Sequence, residues 1–474
     1  MSSSAPSHDN DLTRHDDGMT RHDDGVVRHH DDTVRHHDGT VRHHDGTVRH
    51  DDGAVRRYDD MSQPDGDVSP HDDRDGTTGS GALRGIRVLD LSRILSGPLA
   101  TMVLADLGAE VIKVENTRTG DDTRQWGPPF QGDQAAYFLS ANRNKRGIAL
   151  DLKSPEGLAV ARRLADRADV LVENFRPGTA ERLGLGYREL AARNPRLVYA
   201  SISGYGQTGP WASRPGYDAI AQAQSGMMSI TGEPGQPPVR PGVATADIGA
   251  GMWAVIGILA ALQARRHTGQ GQLVDVSLLD GQLSWLTYVA QGWFATGQAP
   301  RPHGSAHPTI VPYQALPTAD GHLMVAAGND KLWRLFAETV GCADLTDDPR
   351  FATNPDRVRN RDQLVPLLEA ALRQRGREEW AKLLEAAGVP CAPIATVAEA
   401  LAGPQAEARS MVTELDHPTL GRLRTVGSPL KLSDTPVRLR TAAPLLGQHT
   451  DDVLAENGYA PAEIAALRAA GAVR

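Results

Sequence analysis

Short apolar runs and helical patterns alternate along the chain between residues 83 and 297. The runs typical of buried strands lie at 85–91, 111–115, 146–152, 170–174, 197–203 and 273–277. Helical patterns separate most of them, at 98–107, 154–167, 187–193 and 248–266, and another follows at 279–296. This alternation predicts an α/β fold with a mostly parallel sheet and helices on both of its faces. Because ligands bind beyond the carboxyl ends of such strands, we expect chemistry in the loops after the first, second, fourth and fifth strands.

The pattern changes after residue 297. Gly, Pro, His and Arg dominate around 298–305, which indicates a linker. A strand pattern and three helical patterns then predict a smaller α+β unit; they lie at 322–327, 331–340, 361–374 and 377–387. From about residue 419 the chain turns extended and Pro-rich, and it ends in two helical patterns at 450–457 and 461–470. The predicted domains are a large one formed by 83–297 and 419–474, and a small one with its linkers at 298–418.

Residues 1–82 form a low-complexity segment that is set apart by its charge. It contains 19 Asp and 9 Arg and neither Lys nor Glu, a net charge of −10. Arg recurs every seven residues from Arg14 to Arg56, and most of these are followed by His, Asp and then Gly. Each repeat has little more than one Val, so no apolar seam exists and the segment is predicted to be disordered. Its histidines could bind a metal weakly, but a solvated spacer, or a true start further along at Met61, is the favoured interpretation.

The rest of the chain is close to neutral, because the whole sequence carries a net charge of −9. A neutral folded part argues against a nucleic-acid-binding or membrane-surface protein. Only Cys342 and Cys391 are present and no metal-binding spacing occurs, which favours a reducing cytoplasm. The N-terminus has no apolar signal core. The longest apolar run, 248–262, is too short to span a bilayer and predicts a buried helix.

The stretch 243–251 places one carboxylate, that of Asp247, just before this long apolar helical pattern. An Asp at a helix start is commonly an N-cap that accepts hydrogen bonds from the first backbone N–H groups. Two features point to chemistry instead. Gly249 and Gly251 allow a ligand to approach the backbone closely, and the positive end of the helix would keep Asp247 ionised, as a nucleophilic carboxylate must be. On these residues alone, both interpretations stay open.

Several common catalytic motifs are missing from the chain. It has no phosphate-binding loop, no G-x-G-x-x-G after a strand, no His-Glu-x-x-His and no G-x-S-x-G, which argues against most NTPases, metalloproteases and esterases. Eight separated blocks, in order, instead resemble the class III CoA-transferase family, which contains the formyl-CoA:oxalate and carnitine CoA-transferases. The blocks are RILSGP at 93–98, NKRGIALDLK at 144–153, VENFRPG at 172–178, RPGYD at 214–218, TAD at 245–247, HPTIVPYQ at 307–314, GVPCAP at 388–393 and PLLGQHT at 444–450.

By this resemblance Asp247 is the nucleophile that carries the acyl group and then CoA. The positions that would bind CoA are Leu95, Ser96, Leu150, Asp151, Leu152, Lys153, Asn174, Phe175, Arg182, Pro215, Gly216, Tyr217 and Asp218. Lys153 and Arg182 can neutralise CoA phosphates, and Phe175 can stack on the adenine. Other interpretations exist, since Phe175 and Tyr217 are also typical core residues and the cluster 142–146 is typical of a solvated loop.

Two departures from the family pattern concern the substrate. Formyl-CoA transferase has Gln beside the reacting acyl group where this chain has Leu95, and its Gly-rich substrate loop is replaced here by the block at 307–314. Oxalate is therefore a doubtful substrate, and a larger acyl group, such as that of succinyl-CoA or another dicarboxylic acyl-CoA, fits better. His307 in that block is either part of a structural turn or a substrate contact.

The resemblance also implies the architecture and the reaction. Each subunit would have a Rossmann-like large domain with a parallel sheet and a smaller α+β domain, interlaced with its partner in a homodimer. CoA would pass from an acyl-CoA donor to a free carboxylic acid through an aspartyl-CoA thioester, with no permanently bound cofactor and no metal. We expect backbone N–H groups at the start of the helix after Asp247 to stabilise the oxyanions.

Two other functions are weighed against CoA transfer. α-Methylacyl-CoA racemases share this fold and keep an equivalent Asp, but they move a proton with a His–Asp pair. Their His would fall at Tyr217, whose usual pKa is too high for that exchange at neutral pH. A catalytically silent CoA-binding protein is the other alternative, and the retention of Asp247 between small residues argues against it.

Overall fold

The computed structural model describes residues 81–474; the acidic repeats before residue 81 and their predicted disorder lie outside the described residues. The strands are β1 (Arg87–Asp90), β2 (Glu110–Glu115), β3 (Phe130–Gln131), β4 (Gln134–Ala135), β5 (Arg146–Ala149), β6 (Val170–Glu173), β7 (Val198–Ser203), β8 (Leu273–Ser277), β9 (Tyr313–Pro317), β10 (His322–Ala326), β11 (Cys391–Pro393), β12 (Val412–His417) and β13 (Gly421–Val426). The helices are α1 (Ser96–Asp106), α2 (Ala136–Ser140), α3 (Pro155–Ala165), α4 (Thr179–Arg182), α5 (Tyr187–Arg193), α6 (Asp218–Gln224), α7 (Met227–Ile230), α8 (Thr245–Thr268), α9 (Leu278–Ser284), α10 (Thr287–Thr296), α11 (Asp330–Thr339), α12 (Asn354–Arg359), α13 (Arg361–Leu372), α14 (Arg377–Ala386), α15 (Val397–Ala402), α16 (Pro404–Ala408), α17 (Thr450–Glu456) and α18 (Pro461–Ala469). Two 3-10 turns lie at Asp122–Gln125 and Ala343–Thr346.

Six strands form the central sheet, in the order β5-β2-β1-β6-β7-β8. Every neighbouring pair in this sheet is parallel. Alternate side chains of β1 pack on opposite faces: Val88 joins a core with α1 and α8, and Leu89 joins a second core with α3, α5, α17 and α18. Parallel strands that are buried on both faces read as nearly continuous apolar runs, which is why the sequence pattern revealed them. The predicted α/β fold is confirmed.

The end of the chain closes the edge of this sheet beside β5. The backbone N–H of Asp151 donates to the carbonyl oxygen of Ala472 at 2.9 Å. Leu150 and Val473 form an antiparallel bridge. Further back, Nδ1 of His449 accepts a hydrogen bond from the backbone N–H of Gly147 at 3.1 Å. The last residues of the chain therefore pack on the same sheet as its first strands.

A separate core lies in the region predicted as a smaller unit. The strands β9, β10 and β11 form an antiparallel sheet in the order β11-β10-β9, and they pack with α11, α13 and α14 around Trp333 and Phe336. The strands β12 and β13 form a further antiparallel hairpin. The predicted domain boundary at residue 419 lies in the turn of that hairpin, and the division into domains stays a prediction.

The central helix α8 is longer than its sequence pattern indicated. It has 24 residues, and among residues 81–474 it is the one helix with the length and composition to cross a membrane. Its most apolar window of 18 residues has a mean hydropathy of 1.7. The argument that its apolar run is too short for a bilayer is therefore wrong. Half of that apolar window is buried inside the protein, and Ala254 and Ile258 lie in the core against the sheet, which is the position expected of a core helix.

The predicted single helix at 279–296 is wrong. The structure has two helices there, α9 and α10, which meet around Trp285 and Leu286. Thr287 at the junction has φ +32°, outside the right-handed helical region. Because no Gly or Pro marks the break, the sequence pattern carried no signal for it.

Candidate active site

Asp247 is the third residue of α8 and does not cap this helix. Its carboxylate makes no hydrogen bond or ion pair with any residue of the described part. The cap comes from another helix: Asp218, the first residue of α6, accepts hydrogen bonds through Oδ1 from the N–H of Ala246 at 2.8 Å and from that of Asp247 at 3.4 Å. The N-cap interpretation of Asp247 is therefore wrong. Its carboxylate is free to meet a substrate.

The surroundings of Asp247 make its carboxylate unusually basic. Burial raises the pKa of Asp247, and the nearby carboxylate of Asp218 raises it further, to about 7. The expectation that the positive end of the helix keeps Asp247 ionised is therefore wrong, since the pKa is raised and the first N–H groups of the helix already donate to Asp218. A more basic carboxylate is a stronger nucleophile once it is ionised.

The backbone N–H groups of this first turn are not available to a substrate oxygen. Those of residues 245 and 248 donate to carbonyl oxygens two and four residues earlier, at 2.9 and 3.0 Å. Those of residues 246 and 247 donate to Asp218. The predicted stabilisation of oxyanions by these groups is therefore wrong, and a hydrogen-bond donor for such an oxygen must come from elsewhere in the site.

The loop after β1 packs directly against the helix that carries Asp247. A Cβ atom at Gly251, one helical turn beyond Asp247, would lie 2.7 Å from the carbonyl oxygen of Ser96. This close approach of two backbones requires Gly. Leu95 is the N-cap residue of α1 and Ser96 is the first residue of that helix. Ser96, a predicted CoA position, therefore touches α8 one helical turn from the predicted nucleophile, and Leu95 directly precedes it.

The turn after β6 is joined to the loop after β1. The Asn174 side chain accepts a hydrogen bond from the backbone N–H of Arg93 at 2.9 Å and donates one to the carbonyl oxygen of Arg93 at 2.7 Å. Phe175 packs partly against the core, and its N–H donates to Oε2 of Glu173 at 2.8 Å. Burial raises the pKa of Glu173 to about 7. Asn174 and Phe175 are thus held at the same edge of the sheet as Ser96.

Two buried ion pairs lie beneath the loop after β1. Lys145 Nζ lies 3.1 Å from Asp90 Oδ2, and Lys113 Nζ lies 2.9 Å from Asp121 Oδ2, with all four side chains fully buried. Burial opposes the charge of Lys113, but the carboxylates of Asp121 and Asp90 outweigh it and raise the pKa of this lysine. The solvated-loop interpretation of 142–146 is wrong, because its lysine pairs with the buried carboxylate of Asp90 on β1, which is two strands away from β5 in the sheet.

The remaining predicted CoA positions are spread along the same edge of the sheet. Leu150–Lys153 follow β5, Arg182 ends α4, and Pro215–Tyr217 precede α6. Leu150 is buried, whereas Tyr217 is 58% exposed, so the core interpretation of that tyrosine is wrong. β5 and β7 are four strand spacings apart, about 19 Å. A ligand that touches the whole set must be long and extended, as CoA is.

Tyr137 is a residue of this site that was not predicted. Burial raises the pKa of its phenol, and the carboxylates of Asp247, Asp218 and Asp121 raise it further, so the hydroxyl stays protonated close to the predicted nucleophile. Trp126 packs edge-on against its ring, with 5.2 Å between the ring centroids. The only signal in the sequence that could have indicated Tyr137 was its position in the long segment after β2, where chemistry was expected.

His307 lies in an aromatic group with side chains of α10 and β9. Its ring is stacked on that of Tyr288, with centroids 5.5 Å apart, and is 5.4 Å from that of Tyr313. Arg361 donates a hydrogen bond to the His307 carbonyl oxygen at 2.6 Å. Burial and Arg361 lower the pKa of His307, so its ring is neutral at pH 7. These contacts build a turn, and contact with a substrate stays a prediction.

Comparison with known proteins tests the resemblance found in the eight blocks. A family model described as CoA-transferase family III matches residues 83–450. The chain belongs to CoA-transferase family III. The match begins at Leu83, where the predicted globular part begins, and it contains every predicted CoA position as well as Asp247.

Relatives and a solved structure of the family extend this result. The succinyl-CoA:glutarate CoA-transferase of Mus musculus is 44% identical over 374 residues, which are 79% of this chain and 86% of the mouse protein. The acetyl-CoA:oxalate CoA-transferase of Acetobacter aceti is 44% identical over 354 residues, 74% of this chain and 90% of that protein. The crystal structure of a CAIB/BAIF family protein from Brucella suis is similar with a TM-score of 0.72 and 42% identity, covering 80% of this chain and 100% of that chain.

These comparisons confirm the predicted family and the prediction that this protein is a CoA-transferase. They do not test the roles of individual residues. The nucleophile, the CoA contacts and the homodimer therefore stay predictions for this family III enzyme.

Proposed function

We propose that this family III enzyme moves CoA from succinyl-CoA, or another dicarboxylic acyl-CoA, to a free dicarboxylic acid. The observation that carries the proposal is the unpartnered carboxylate of Asp247 in the first turn of α8, beside the loop after β1. The choice of acids is supported by the relative named for succinyl-CoA and glutarate. Leu95 leaves an apolar surface beside the reacting group, which favours an acid longer than oxalate.

The first half of the reaction loads CoA onto the enzyme. The ionised carboxylate of Asp247 attacks the thioester carbonyl of the donor, the C–S bond breaks, and CoA leaves as its thiolate. The product is a mixed anhydride between Asp247 and the donor acid. The thiolate then attacks the aspartyl carbonyl of this anhydride, which expels the donor acid as a carboxylate and leaves an aspartyl-CoA thioester.

The second half runs the same steps in reverse with the acceptor. The acceptor carboxylate attacks the aspartyl thioester, expels CoA thiolate and forms a new anhydride. The thiolate attacks the acceptor carbonyl of that anhydride, which forms the new acyl-CoA and regenerates the Asp247 carboxylate. Each step exchanges one acyl derivative for another, so the balance needs no electron transfer and no net proton.

Each tetrahedral intermediate carries a negative oxygen that needs a hydrogen-bond donor. The amides at the start of α8 are occupied, so we assign this role to the Tyr137 hydroxyl. Its phenol is protonated and lies close enough to Asp247 for the carboxylate to raise its pKa. Removal of one such donor typically costs about a hundredfold or more in rate, so Tyr137→Phe should lower kcat while the adduct on Asp247 still forms.

CoA would lie across the carboxyl edge of the sheet, from the turn after β5 to the start of α6. Lys153 and Arg182 are exposed there and can neutralise its phosphates. Phe175 offers a ring face for the adenine. The pantetheine arm would pass Ser96 and Leu95 to bring the thioester to Asp247.

We further propose that two subunits form the interlaced homodimer implied by the family. The support is an apolar surface that one subunit leaves uncovered on α8 and α10: Met252 is 56% exposed, Ile256 53% and Phe294 69%. No residue of α10 is buried within the described part of one chain. A dimer whose subunits fold together should not yield a folded monomer on dilution, so sedimentation that shows a compact, active monomer would contradict it.

The covalent mechanism is tested by trapping. The enzyme mixed with succinyl-CoA and no acceptor should accumulate an acyl or CoA adduct on the peptide that contains Asp247, and hydroxylamine should convert that carboxyl to a hydroxamate. Asp247→Asn keeps the size of the side chain but removes the nucleophile. We expect a folded protein with no adduct and a rate at least about a thousandfold lower, about 4 kcal/mol of transition-state free energy.

Two controls separate the nucleophile from the choice of acids. A screen of dicarboxylic and monocarboxylic acceptors, read as new CoA thioesters by mass spectrometry, identifies the substrate independently of the residue. Near-normal turnover in a folded Asp247→Asn variant, with no label on this peptide in the wild type, would refute the mechanism whatever the acceptor.

A further inference from the structure

One carboxylate, that of Asp218, ties together the starts of two helices. It belongs to the first residue of α6, and its Oδ1 accepts hydrogen bonds from the N–H groups of Ala246 and Asp247 in the first turn of α8. Its Oδ2 accepts a hydrogen bond from Nε2 of Gln222 at 2.8 Å. Both oxygens of Asp218 are thus fixed, one by the helix of the nucleophile and the other by a side chain of its own helix.

Gln222 is a completely buried amide whose carbonyl oxygen has no partner among residues 81–474. Gln282 on α9 and Thr245 on α8 likewise have buried polar atoms without a partner in this part of the chain. α6, α8 and α9 pack against one another. Unpaired buried polar groups are costly and are seldom kept without a purpose. Here they lie on three helices that pack together, one of which carries Asp247.

The charge of Asp218 acts on the nucleophile directly. Among the described residues, Asp218 of α6 raises the pKa of Asp247, and Asp247 in turn raises the pKa of the Tyr137 phenol of α2. No Lys or Arg among the described residues pairs with Asp247. A like charge close to a carboxylate disfavours its ionised form, and the same repulsion is relieved when that carboxylate becomes a neutral anhydride or thioester.

We propose that Asp218, held in place by Gln222, is a positioning residue for the nucleophile: it fixes the first turn of α8, and its negative charge keeps the Asp247 carboxylate strongly nucleophilic. This inference rests on the proposed function, in which Asp247 is acylated. It differs from the role implied by the family resemblance, in which Asp218 contacts CoA.

Asp218→Asn separates the charge from the cap. The Asn side chain keeps a carbonyl oxygen that can accept from the N–H of Ala246, so the first turn of α8 should persist. The negative charge is lost, and the repulsion it exerts on Asp247 is lost with it. Asp247 should therefore ionise at lower pH and be a weaker nucleophile once it is ionised.

The measurement is the rate of adduct formation on Asp247 in a single turnover with succinyl-CoA and no acceptor, followed over a range of pH. The wild type should lose rate as the pH falls through about 7. In Asp218→Asn we expect the midpoint of this loss to lie lower by about one pH unit or more. The plateau of the rate at high pH should fall roughly threefold for each pH unit by which the midpoint moves, which is the dependence of rate on basicity known for thiol nucleophiles.

Asp280→Asn is the matched control. Asp280 is an exposed Asp on the neighbouring helix α9, and its substitution makes the same change of charge. Its midpoint should equal that of the wild type. A CoA contact at Asp218 would instead raise KM for succinyl-CoA at every pH and leave the midpoint unmoved, and that result would overturn the proposal.

Gln222→Met tests the other half of the proposal without changing a charge. It removes the donor to Oδ2 of Asp218 and keeps the length of the side chain, so kcat should fall while KM for succinyl-CoA stays within about twofold. An unchanged kcat would show that Gln222 does not position Asp218. If the wild type forms no adduct on Asp247, the proposed function fails first. If the adduct forms with the same pH midpoint in wild type and Asp218→Asn, only the present inference fails.

Discussion

Replacing Asp247 by Asn should stabilise the folded protein while it abolishes turnover. The carboxylate of Asp247 has no hydrogen-bond partner among the described residues and is repelled by Asp218. Ionising it in the folded protein therefore costs free energy that ionising it in the unfolded chain does not. Natural active sites commonly retain groups that lower stability for the sake of function.

The magnitude follows from the pKa of Asp247, which is about 7 in the folded protein against an ordinary value of 3.8. A carboxyl whose folded pKa is raised has no effect below pH 3.8, lowers the stability progressively as the pH rises from there to about 7, and lowers it by a constant amount above that. A pKa difference of about 3, at about 1.36 kcal/mol for each tenfold change in acidity, gives an upper bound of about 4 kcal/mol. Relaxation and water penetration reduce such costs, so about 2 kcal/mol is a reasonable lower figure.

Urea unfolding at fixed protein concentration, at about pH 5 and pH 8, measures this effect. At the higher pH, Asp247→Asn should raise the free energy of unfolding by about 2–4 kcal/mol, and at the lower pH the gain should shrink to less than half. Asp280→Asn should stay within about 0.5 kcal/mol of the wild type at both pH values. An N-cap at this position would have the opposite sign, with Asp247→Ala losing about 1 kcal/mol. An Asp247→Asn variant no more stable than the wild type at pH 8 would refute the reasoning.

Three further predictions concern the pH dependence of catalysis, the packing of Gly251 and the racemase alternative. The kcat/KM for succinyl-CoA should decline as the pH falls through about 7, because the nucleophile must be ionised; a profile flat down to about pH 5 would contradict this assignment. Gly251→Ala should lower the free energy of unfolding by about 1–3 kcal/mol and reduce turnover, because its Cβ would lie 2.7 Å from the Ser96 carbonyl oxygen. Gly328→Ala, in the segment between β10 and α11 where a Cβ meets nothing within 4 Å, is its control in denaturation and kinetics, and equal behaviour of the two variants would remove the packing argument. Incubation with a 2-methylacyl-CoA in deuterated water should leave the α-hydrogen unexchanged, because Tyr217 stands where a racemase would have His; rapid exchange that depends on Asp247, read by mass spectrometry, would favour the racemase.

The sheet and its order of elements could be predicted because the information is local. Each strand of the central sheet is buried on both faces, so its own residues carry the apolar signal. The chemistry expected at the carboxyl ends of β1, β2, β6 and β7 followed from topology alone, and Ser96, Tyr137 and Asn174 do lie in or beyond those loops. The break between α9 and α10 was missed because Thr287 takes up the change of direction without a Gly or Pro.

The electrostatics of the site depend on pairs far apart in sequence and could not be predicted. The cap on α8 comes from Asp218, 29 residues before Asp247, and nothing in either stretch marks the partnership. For the same reason the sequence placed Lys145 in a solvated loop. In the structure its ammonium lies 3.1 Å from the carboxylate of Asp90, which is 55 residues away in the sequence. Local patterns report how a segment meets water, but they do not report which distant carboxylate neutralises a buried lysine.

The closure of the sheet edge by the last residues bears on when this enzyme can become active during synthesis. Asp151, in the predicted CoA site, is held by the carbonyl of Ala472, and Ala149 of β5 accepts a hydrogen bond from the N–H of Arg474. The turn after β5 therefore lacks this anchor until residues 472–474 have emerged from the ribosome. Domains normally fold as they emerge from the ribosome, but here the turn after β5 gains these contacts only after residues 472–474 have been made. A released chain that ends just before Ala472 would keep all six strands of the central sheet but would leave the turn after β5 open on one side.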